Sequence, residues 1–260
     1  MKSYFYYILF VFSLFSISGC GDNESDNENM SDSKHISKII EETKGIVNEY
    51  TFTYDSNGRV VELIRNSTSS KASGTRKFKY QYNENVIFKL DYYNDEFQYK
   101  DTFYIENGKV IEYIKSDSGT PRHIKYSYNE DDYLYKYDNN FLVTGRDVSC
   151  NGELVWKDGN LDVFYYFQVD SVPCTYSDYR WNKGMVLDFK ENVVPSTEPI
   201  LLAEGYFGKL PKNLPSKVHN TKYEYTISGG YVTKIVKETI DPNKKKVTDN
   251  SVMYYTWEYI

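Results

Sequence analysis

One short segment recurs along this chain, and the recurrence limits the folds that the chain can adopt. Residues 58–64, Gly-Arg-Val-Val-Glu-Leu-Ile, return at 108–114 as Gly-Lys-Val-Ile-Glu-Tyr-Ile, and a Tyr-containing stretch with Asn-Gly leads into each copy. A degraded copy at 80–87 lies between them, so the repeating unit has about 25 residues. Asn-Gly supplies the positive φ angles that two-residue hairpin turns require, so each unit is predicted to be a β-hairpin. Further copies are found at 126–134, 155–161, 179–186 and 223–232.

Alternating side chains support this assignment of strands. Tyr50, Phe52 and Tyr54 share one face of the first predicted strand, and Thr51 and Thr53 share the other. A period of two with one polar face is typical of an antiparallel sheet that faces water on one side. The chain holds 28 Tyr and 14 Phe, residue types that favour strands, so the buried face is predicted to be aromatic.

Hairpins in series predict a meander. About a dozen strands in one flat sheet would be unusual, because large sheets curl, split or close, and closure also removes exposed strand edges. The predicted fold is therefore all-β: a long antiparallel meander of repeated β-hairpins, strongly curved into a barrel or half-barrel-like sheet. A short helix in the Pro-rich segment 193–215 is compatible with this fold.

The polar face bears on whether such a sheet would stand in a membrane. Transmembrane barrels have strands of about 10 residues with apolar side chains outside and polar side chains inside. The alternation in this chain also fits that arrangement. The polar face is rich in Lys and Glu, however, which favours a domain surrounded by water.

The N-terminus predicts secretion. Met1-Lys2 provides a positive charge, and residues 4–17 form an uncharged apolar run, shorter than the roughly 20 residues of a membrane span. This arrangement is typical of a signal peptide. The run ends in Ile17-Ser18-Gly19-Cys20, which resembles the bacterial lipobox, where a peptidase cuts beside small residues and the free thiol accepts a lipid. Residues 1–19 are therefore predicted to be a lipoprotein signal peptide, with an ordinary signal peptide and an incidental cysteine as the alternative.

Cys20 is the predicted lipidation site, and its lipid would anchor the protein to a membrane. Residues 20–33 carry five acids and little apolar surface, so they are expected to form a disordered tether. Acids directly after the cysteine resemble an export signal of surface lipoproteins, with a plain spacer as the alternative. The expected location is the outer membrane, either periplasmic or surface-exposed. Residues 34–260 are predicted to form a single β-meander domain.

Charge and cysteine content limit the partners. The formal net charge is −6, and a mildly acidic chain argues against nucleic acid as a partner. If Cys20 carries lipid, Cys150 and Cys174 remain. They are the candidates for a disulfide, a bond that persists outside the cytoplasm.

Three segments together resemble a known family. They are Tyr-Asp-Ser-Asn-Gly-Arg-Val at 54–60, Trp-Lys-Asp-Gly-Asn-Leu at 156–161 and Gly-Tyr-Phe-Gly-Lys-Leu-Pro-Lys-Asn-Leu-Pro at 205–215. From about His35 to Ile260 the chain resembles an uncharacterised bacterial lipoprotein family, described as a domain of unknown function with a porin-like fold. The Tyr-Asp-x-x-Gly unit alone is also shared with YD-repeat proteins. The resemblance implies a secreted, anchored β domain and brings no known activity with it.

The sequence contains few residues suited to catalysis. His35, His123 and His219 stand outside any metal-ligand spacing, and the chain lacks Cys-x-x-Cys. It also lacks a nucleophile elbow and a phosphate-binding Gly-rich loop. Paired carboxylates at 95–96 and 131–132 fall at predicted turns, where solvated turn residues are the alternative to a catalytic pair. No catalytic residue, metal or cofactor is therefore predicted, and the protein is not expected to be an enzyme.

Trp156, Trp181 and Trp257 each fall in or beside a predicted strand and are candidate ligand-binding residues. Their rings would form a platform that stacks against a sugar, and packing in the core is the alternative. With the anchor, they favour a non-catalytic binding module whose partner is a glycan, a lipid or another envelope protein. An envelope structural or assembly factor and a hydrolase of glycan or lipid are the alternative functions.

Overall fold

The computed structural model describes most of the predicted β domain. Cys20 and the predicted tether fall outside the described residues. The described residues are 11–12, 34–69, 73–116, 121–143, 146–168, 174–176, 179–181, 190–191, 198–218, 220–241 and 246–259. Their strands and helix are β1 (Val11–Phe12), β2 (Lys34–Thr43), β3 (Ile46–Tyr54), β4 (Val60–Ser69), β5 (Ser73–Asn83), β6 (Val86–Tyr93), β7 (Glu96–Glu106), β8 (Lys109–Lys115), β9 (Arg122–Tyr128), β10 (Leu134–Val143), β11 (Arg146–Lys157), β12 (Asn160–Gln168), β13 (Cys174–Tyr176), β14 (Tyr179–Trp181), β15 (Lys190–Glu191), α1 (Pro199–Ala203), β16 (Pro215–Val218), β17 (Thr221–Ser228), β18 (Tyr231–Asp241) and β19 (Lys246–Tyr259).

One antiparallel meander accounts for nearly all of these strands. Each strand from β2 to β12 pairs with the next strand along the chain, and β12 pairs with β13. The series continues from β14 through β16 to β19, and β19 pairs with β2. β13 and β14 stand next to each other in the strand order, while β1 and β15 pair separately. The prediction of an all-β antiparallel meander of hairpins is confirmed.

The recurring sequence has a structural counterpart at five of the described hairpin turns. Asn107 and Gly108 adopt positive φ angles of 50° and 75° at the turn between β7 and β8. A fully buried aliphatic residue follows this turn and each of the four equivalent turns. The pairing register shifts beside that residue, which marks a β-bulge. Such a bulge bends and twists the strand locally, so the repeat specifies a bulge as well as a turn. The buried aliphatic residues are Val60, Val110, Leu134, Leu161 and Val232.

The core lies on one face of the sheet, here called the inner face. Tyr50 and Phe52 are buried there, and Thr51 and Thr53 are exposed on the other face, as the alternation predicts. Helix α1 packs against the inner face, so that Ile200 and the next three residues are buried. This is the short helix that the Pro-rich segment allows.

The cap segment, residues 198–214, crosses one end of the sheet, which we call the capped end. Its backbone bonds to the hairpin turns there: the Val110 amide donates to Tyr206 O at 2.7 Å, and the Lys209 amide donates to Asp132 O at 2.8 Å. Gly208 has a φ of 76°, and a Cβ at this position would lie 2.2 Å from Asp132 O. Glycine is therefore required at this contact. The opposite end, where the turns at 44–45 and 94–95 lie, is called the far end.

Candidate functional site

Trp156 and Trp257 each donate a hydrogen bond to a backbone carbonyl beside a bulge. The Trp156 indole donates to Leu134 O at 2.7 Å, and the Trp257 indole donates to Val232 O at 2.8 Å. Trp156 also stacks on Tyr133, with ring centroids 4.6 Å apart. Both indoles are half-buried against the core.

Tyrosines occupy the equivalent position in other repeats. The hydroxyls of Tyr82 and Tyr128 donate to Val60 O at 2.9 Å and Val110 O at 2.7 Å. A bulge disrupts the local ladder, and a buried carbonyl without a donor is costly, so this aromatic donor has a structural role. Tyr54 and Tyr225 make the same kind of contact with Ile36 O and Pro215 O.

The described part of the structure does not bring Trp156 and Trp257 together. Trp156 lies on β11 and Trp257 on β19, and these strands are not neighbours in the sheet. Trp181 ends β14, and its side chain lies outside the described residues. The stacking platform stays a prediction, and for Trp156 and Trp257 the structural contacts support the core alternative.

Cys150 and Cys174 lie on strands separated by one other strand. Cys150 pairs with Gln168 of β12, and Cys174 pairs with Tyr166 of the same strand. Two strand spacings amount to about 9.6 Å, beyond the roughly 7 Å that a disulfide can span between Cα atoms. Cys150 is a buried free thiol, and the Cys174 side chain is outside the described part. The disulfide stays a prediction, and it would require this pairing to change.

The other residues considered for chemistry occupy separate places. His123 contacts Glu112 at 3.1 Å, Asp95 pairs with Lys77 at 2.6 Å, and Asp132 forms an ion pair with Lys109. His219 lies outside the described residues. Among the residues that are described, no group of three His, Cys, Asp or Glu is arranged to hold a metal ion. Nor is any described helix long and apolar enough to cross a membrane.

Charged side chains on the inner face form a network that the sequence analysis missed. Asp91 is fully buried and receives a two-pronged contact from Arg76, with Nε to Oδ1 at 2.9 Å and Nη2 to Oδ2 at 2.6 Å. Arg76 Nη2 also donates to the Tyr99 hydroxyl at 2.6 Å. The hydrogen bond to Asp91 raises the pKa of Arg76 further above its usual value. The sequence could have indicated the burial of Asp91, because Asp91 lies four residues after the buried Ile87 on β6 and side chains at even spacing share one face of a strand.

Asp101 is the second buried acid of this network. It accepts from the Tyr113 hydroxyl at 2.9 Å and from the Ser116 amide at 2.9 Å. Burial raises the pKa of Asp101, and the nearby Lys89 opposes that shift. Burial also raises the pKa of Tyr113, whose hydroxyl therefore stays protonated as the donor.

Glu198 connects the cap segment to the network. Its carboxylate caps α1 by accepting from the Leu201 amide at 3.0 Å, as expected of a side chain at a helix N-terminus. The same carboxylate accepts from the Tyr80 hydroxyl at 2.9 Å and from Lys89 Nζ at 3.1 Å. One buried carboxylate thus holds the helix against β5 and β6.

Glu204 makes a second polar connection, closer to the capped end. Its Oε1 accepts from the Val60 amide at 2.8 Å, and its Oε2 lies 2.8 Å from the Tyr82 hydroxyl, whose single proton bonds either to this carboxyl or to Val60 O. Burial raises the pKa of Glu204 to about 8, although both hydrogen bonds oppose the shift. The carboxyl is therefore mostly protonated at neutral pH.

Two arginines face each other near the far end of the inner face. The far-end row consists of Tyr50, Arg65, Arg76 and Tyr93, which are successive cross-strand partners on β3, β4, β5 and β6. Like charges directly opposite each other destabilise a sheet, and Asp91 offsets this for Arg76. The row is the candidate binding site, because it places cationic and aromatic groups side by side near the far end.

Comparison with known proteins identifies the family of this chain. The model of the family described as a domain of unknown function (DUF4595) with porin-like fold matches residues 52–248. The chain belongs to this family. The resemblance inferred from three short segments is thereby confirmed for the family and its fold, while lipoprotein status stays a prediction.

Two solved structures share the fold. A porin-like protein from Bacteroides uniformis is 16% identical with a TM-score of 0.61, covering 86% of this chain and 98% of that one. A porin-like protein from Bacteroides vulgatus is 14% identical with a TM-score of 0.62, covering 88% and 100%. At such identities the likeness extends to the fold alone. No curated protein matches the chain.

Proposed function

We propose that this protein is a lipid-anchored component of the bacterial cell envelope whose β domain is a non-catalytic binding module. The domain engages its partner through the far end of the sheet. The observation that carries this proposal is the difference between the two ends, one filled by the cap segment and the other presenting polar and aromatic side chains.

The filled end supports binding elsewhere. Phe207 and Leu214 of the cap segment are buried, and Phe207 packs edge-on against Tyr126 with ring centroids 5.0 Å apart. The acids nearby are also occupied, since Glu198 and Glu204 each accept hydrogen bonds that hold the cap segment in place. Both acids hold the cap segment in place, which favours a binding module without catalytic activity.

The far end offers surface for a partner. Tyr93 is 47% exposed and Phe97 is 57% exposed, and both adjoin the turn between β6 and β7. Val47, beside the turn between β2 and β3, is also exposed. Aromatic residues are enriched where proteins bind partners, so these side chains support a contact with a ligand or another envelope protein.

The path of the chain supports the orientation. β2 begins at Lys34, which pairs with Tyr259 near the capped end. The predicted tether from Cys20 therefore enters the domain at the capped end, which leaves the far end free of the anchor. Pairing of β19 with β2 brings the first and last long strands together, and this supports closure of the curved sheet into a barrel, part of the proposal.

Photo-crosslinking in cells tests the binding proposal. A photoreactive phenylalanine replaces Phe97 in one variant of the full chain and Tyr104, on the same strand β7 nearer the capped end, in a matched control. Tyr104 is 41% exposed, so both probes are accessible. The proposal expects crosslinked partners from position 97 in clear excess over position 104. Equal yields from both positions would contradict it.

The anchor has its own test. The substitution Cys20→Ala is expected to move the protein from the membrane fraction to the soluble envelope fraction and to remove the lipid mass from the mature protein. An unchanged mass and an unchanged membrane fraction would show that Cys20 carries no lipid.

A further inference from the structure

The residues of β6 that point away from the inner face are all apolar or aromatic. They are Val86, Phe88, Leu90 and Tyr92, here called the outer stripe, and each is partly exposed. On the neighbouring strand β5 the outward residues include Lys77 and Lys79. A sheet face in contact with water is normally polar, so β6 differs from the strand beside it.

The charged residues of β6 point inward and have partners inside the domain. Lys89 pairs with Glu198 at 3.1 Å, and Asp91 pairs with Arg76 at 2.6 Å. These pairs account for the charges on the inner face, and they do not require apolar residues on the outer face. Contiguous apolar surface that is left exposed marks a contact site, so the outer stripe indicates a contact beyond the domain.

Strand β7 widens the outer stripe at both ends. Tyr92 packs edge-on against Phe97, with ring centroids 5.7 Å apart. Val86 is the cross-strand partner of Tyr104. Because Phe97 and Tyr104 are both exposed, the apolar surface runs along the whole of β6, from the capped end to the far end.

A lysine stands on each side of the outer stripe. Lys79 of β5 and Lys100 of β7 are the two cross-strand partners of Leu90. Lys100 Nζ lies 4.5 Å from the centre of the Phe88 ring, and Lys79 Nζ lies 6.0 Å from the centre of the Tyr92 ring. Long lysine stems can cover apolar surface while the charges stay in a polar layer. The arrangement suits a partner that is apolar at its centre and anionic at its edges.

The same lysines argue against a second copy of this chain as that partner. Lys100 forms no ion pair among the described residues, and Lys79 lies 3.7 Å from Glu62 in a partly exposed pair. Two outer stripes packed face to face would bring lysines against lysines in either orientation, because both flanks carry one. Like charges disfavour such a contact, whereas the phosphate layer of a bilayer complements both lysines.

The predicted anchor can hold the outer stripe at a bilayer. β2 begins at Lys34 and lies four strand spacings from β6, about 19 Å along the sheet. Lys34 and Val86 both lie toward the capped end. The predicted tether, residues 20–33, can extend to about 46 Å, so a lipid on Cys20 can enter the bilayer that the outer stripe touches.

We propose that the outer stripe lies against the surface of a phospholipid bilayer, with Lys79 and Lys100 at the level of the phosphate groups. This contact goes beyond the binding of a partner at the far end, and it rests on the anchoring part of the proposed function. Tyrosine rings favour the interface between lipid and water, which suits Tyr92 at one end of the stripe. With β6 along the bilayer, the inner face and its far-end row stay open to a partner.

Photo-crosslinking to lipid tests the proposal. The full chain is purified in detergent and reconstituted into vesicles of phosphatidylethanolamine and phosphatidylglycerol. A photoreactive phenylalanine replaces Phe88 in one variant and Tyr254 in a matched control, where Lys234 lies 5.6 Å over an exposed ring on the outer face of β19. Lipid adducts, detected by mass, are expected from position 88 in about tenfold excess over position 254. Equal yields overturn the proposal, and adducts between two copies from position 88 overturn it in favour of self-association.

Charge reversal tests the role of the two lysines. Lys79→Glu combined with Lys100→Glu is expected to lower the lipid adducts from position 88 about tenfold. Lys222→Glu combined with Lys234→Glu, on the outer face of β17 and β18, is the matched control and is expected to leave them unchanged. Leu90→Gln, which keeps both lysines, is expected to lower the adducts as well. Equal losses from the two double variants, or no loss from either change beside β6, overturn the assignment.

The adducts separate this inference from the proposed function, because protein and lipid differ in mass. If position 97 captures a protein while position 88 captures no lipid, the membrane contact fails and the far-end binding function stands. If position 88 captures lipid while position 97 captures no protein, the binding function fails and the membrane contact stands. If Cys20 carries no lipid but position 88 still captures lipid from added vesicles, only the anchor fails.

Discussion

The two ends of the sheet are built from the same repeated hairpins and differ in how their inner-face polar groups are satisfied. At the capped end, Glu204 and the backbone amides of the hairpin turns find partners within the chain, because the cap segment crosses them. In the far-end row, the buried Nε of Arg65 has no acceptor within the described part of the chain. The repeated hairpins therefore account for the strands and turns at both ends. The cap segment determines at which end the polar groups find partners within the chain.

The substitution expected to destabilise the protein most lies at the capped end. Gly208→Ala places a Cβ against Asp132 O at 2.2 Å in a left-handed backbone, so the cap segment must move, and we expect a loss of about 4 kcal/mol in the free energy of unfolding. Urea denaturation measures this. Gly205→Ala is the matched control, since its φ is 83° and nothing lies within 4 Å of the added Cβ. Equal losses at both glycines would show that backbone strain alone, and not the cap contact, matters.

The next effect compares the two opposed arginines. Arg76→Leu leaves the fully buried Asp91 without its cation, and we expect a loss of about 3 kcal/mol. Arg65→Leu removes a guanidinium that forms no ion pair with a carboxylate of the described residues, so its loss is expected to stay below about 1 kcal/mol. Chemical denaturation of both variants is the measurement. Similar losses would mean that Arg65 is as firmly paired as Arg76, which would weaken the binding site.

Glu204 at the capped end is expected to make the stability of the protein depend on pH. The pKa of Glu204 is raised from 4.5 to about 8, so the folded protein holds this proton more tightly than the unfolded chain does. Stability from this group is therefore full below about pH 4.5 and is lost as the pH rises toward 8. Glu204→Gln is expected to remove the part of the slope between pH 4.5 and 8 that comes from this residue, because an amide does not ionise and its oxygen still accepts from the Val60 amide. Denaturation at a series of pH values measures the slope, with Glu62→Gln as a surface control that leaves the slope intact.

A smaller effect tests the aromatic donor of the repeat. Tyr128→Phe removes the hydroxyl that donates to Val110 O at 2.7 Å, and the loss is expected to be about 1–2 kcal/mol because a partly buried carbonyl loses its donor. Tyr104→Phe is the control on an exposed tyrosine, with an expected change within about 0.5 kcal/mol. If both variants have the same stability, the bulge carbonyl does not need this hydrogen bond.

The smallest effect is expected at an exposed ion pair of the far end. Asp249→Asn removes the contact with Lys44 at 2.9 Å, where both side chains are largely exposed, and solvent-screened pairs contribute about 0–1 kcal/mol. Thermal unfolding in low and high salt should show a shift of at most a few degrees that vanishes with salt. A large, salt-independent loss would mean that the far end is stabilised internally, as the capped end is.

The hairpins could be predicted because their signals are local. The turn residues, such as Asn107-Gly108, and the aliphatic residue that follows soon after specify a turn and the first buried position without reference to the rest of the chain. The candidate site could not be predicted in the same way. Arg65 and Arg76 become neighbours through strand register, and Glu198 meets Lys89 only after the cap segment has folded back across the sheet. The tryptophans were singled out for their type, yet Trp156 and Trp257 occupy the same repeat position as Tyr82 and Tyr128.

The strands, their turns, the aromatic inner face and the family follow from local sequence, because period-two alternation and turn chemistry act over a few residues. Only the folded structure reveals the pairing of β19 with β2, the place of the cap segment and the partners of the buried charges. Those features depend on contacts between residues that are distant along the chain, such as Glu204 and Val60. Pattern alone carries no information about which distant groups will meet, and the difference between the two ends arises from those meetings.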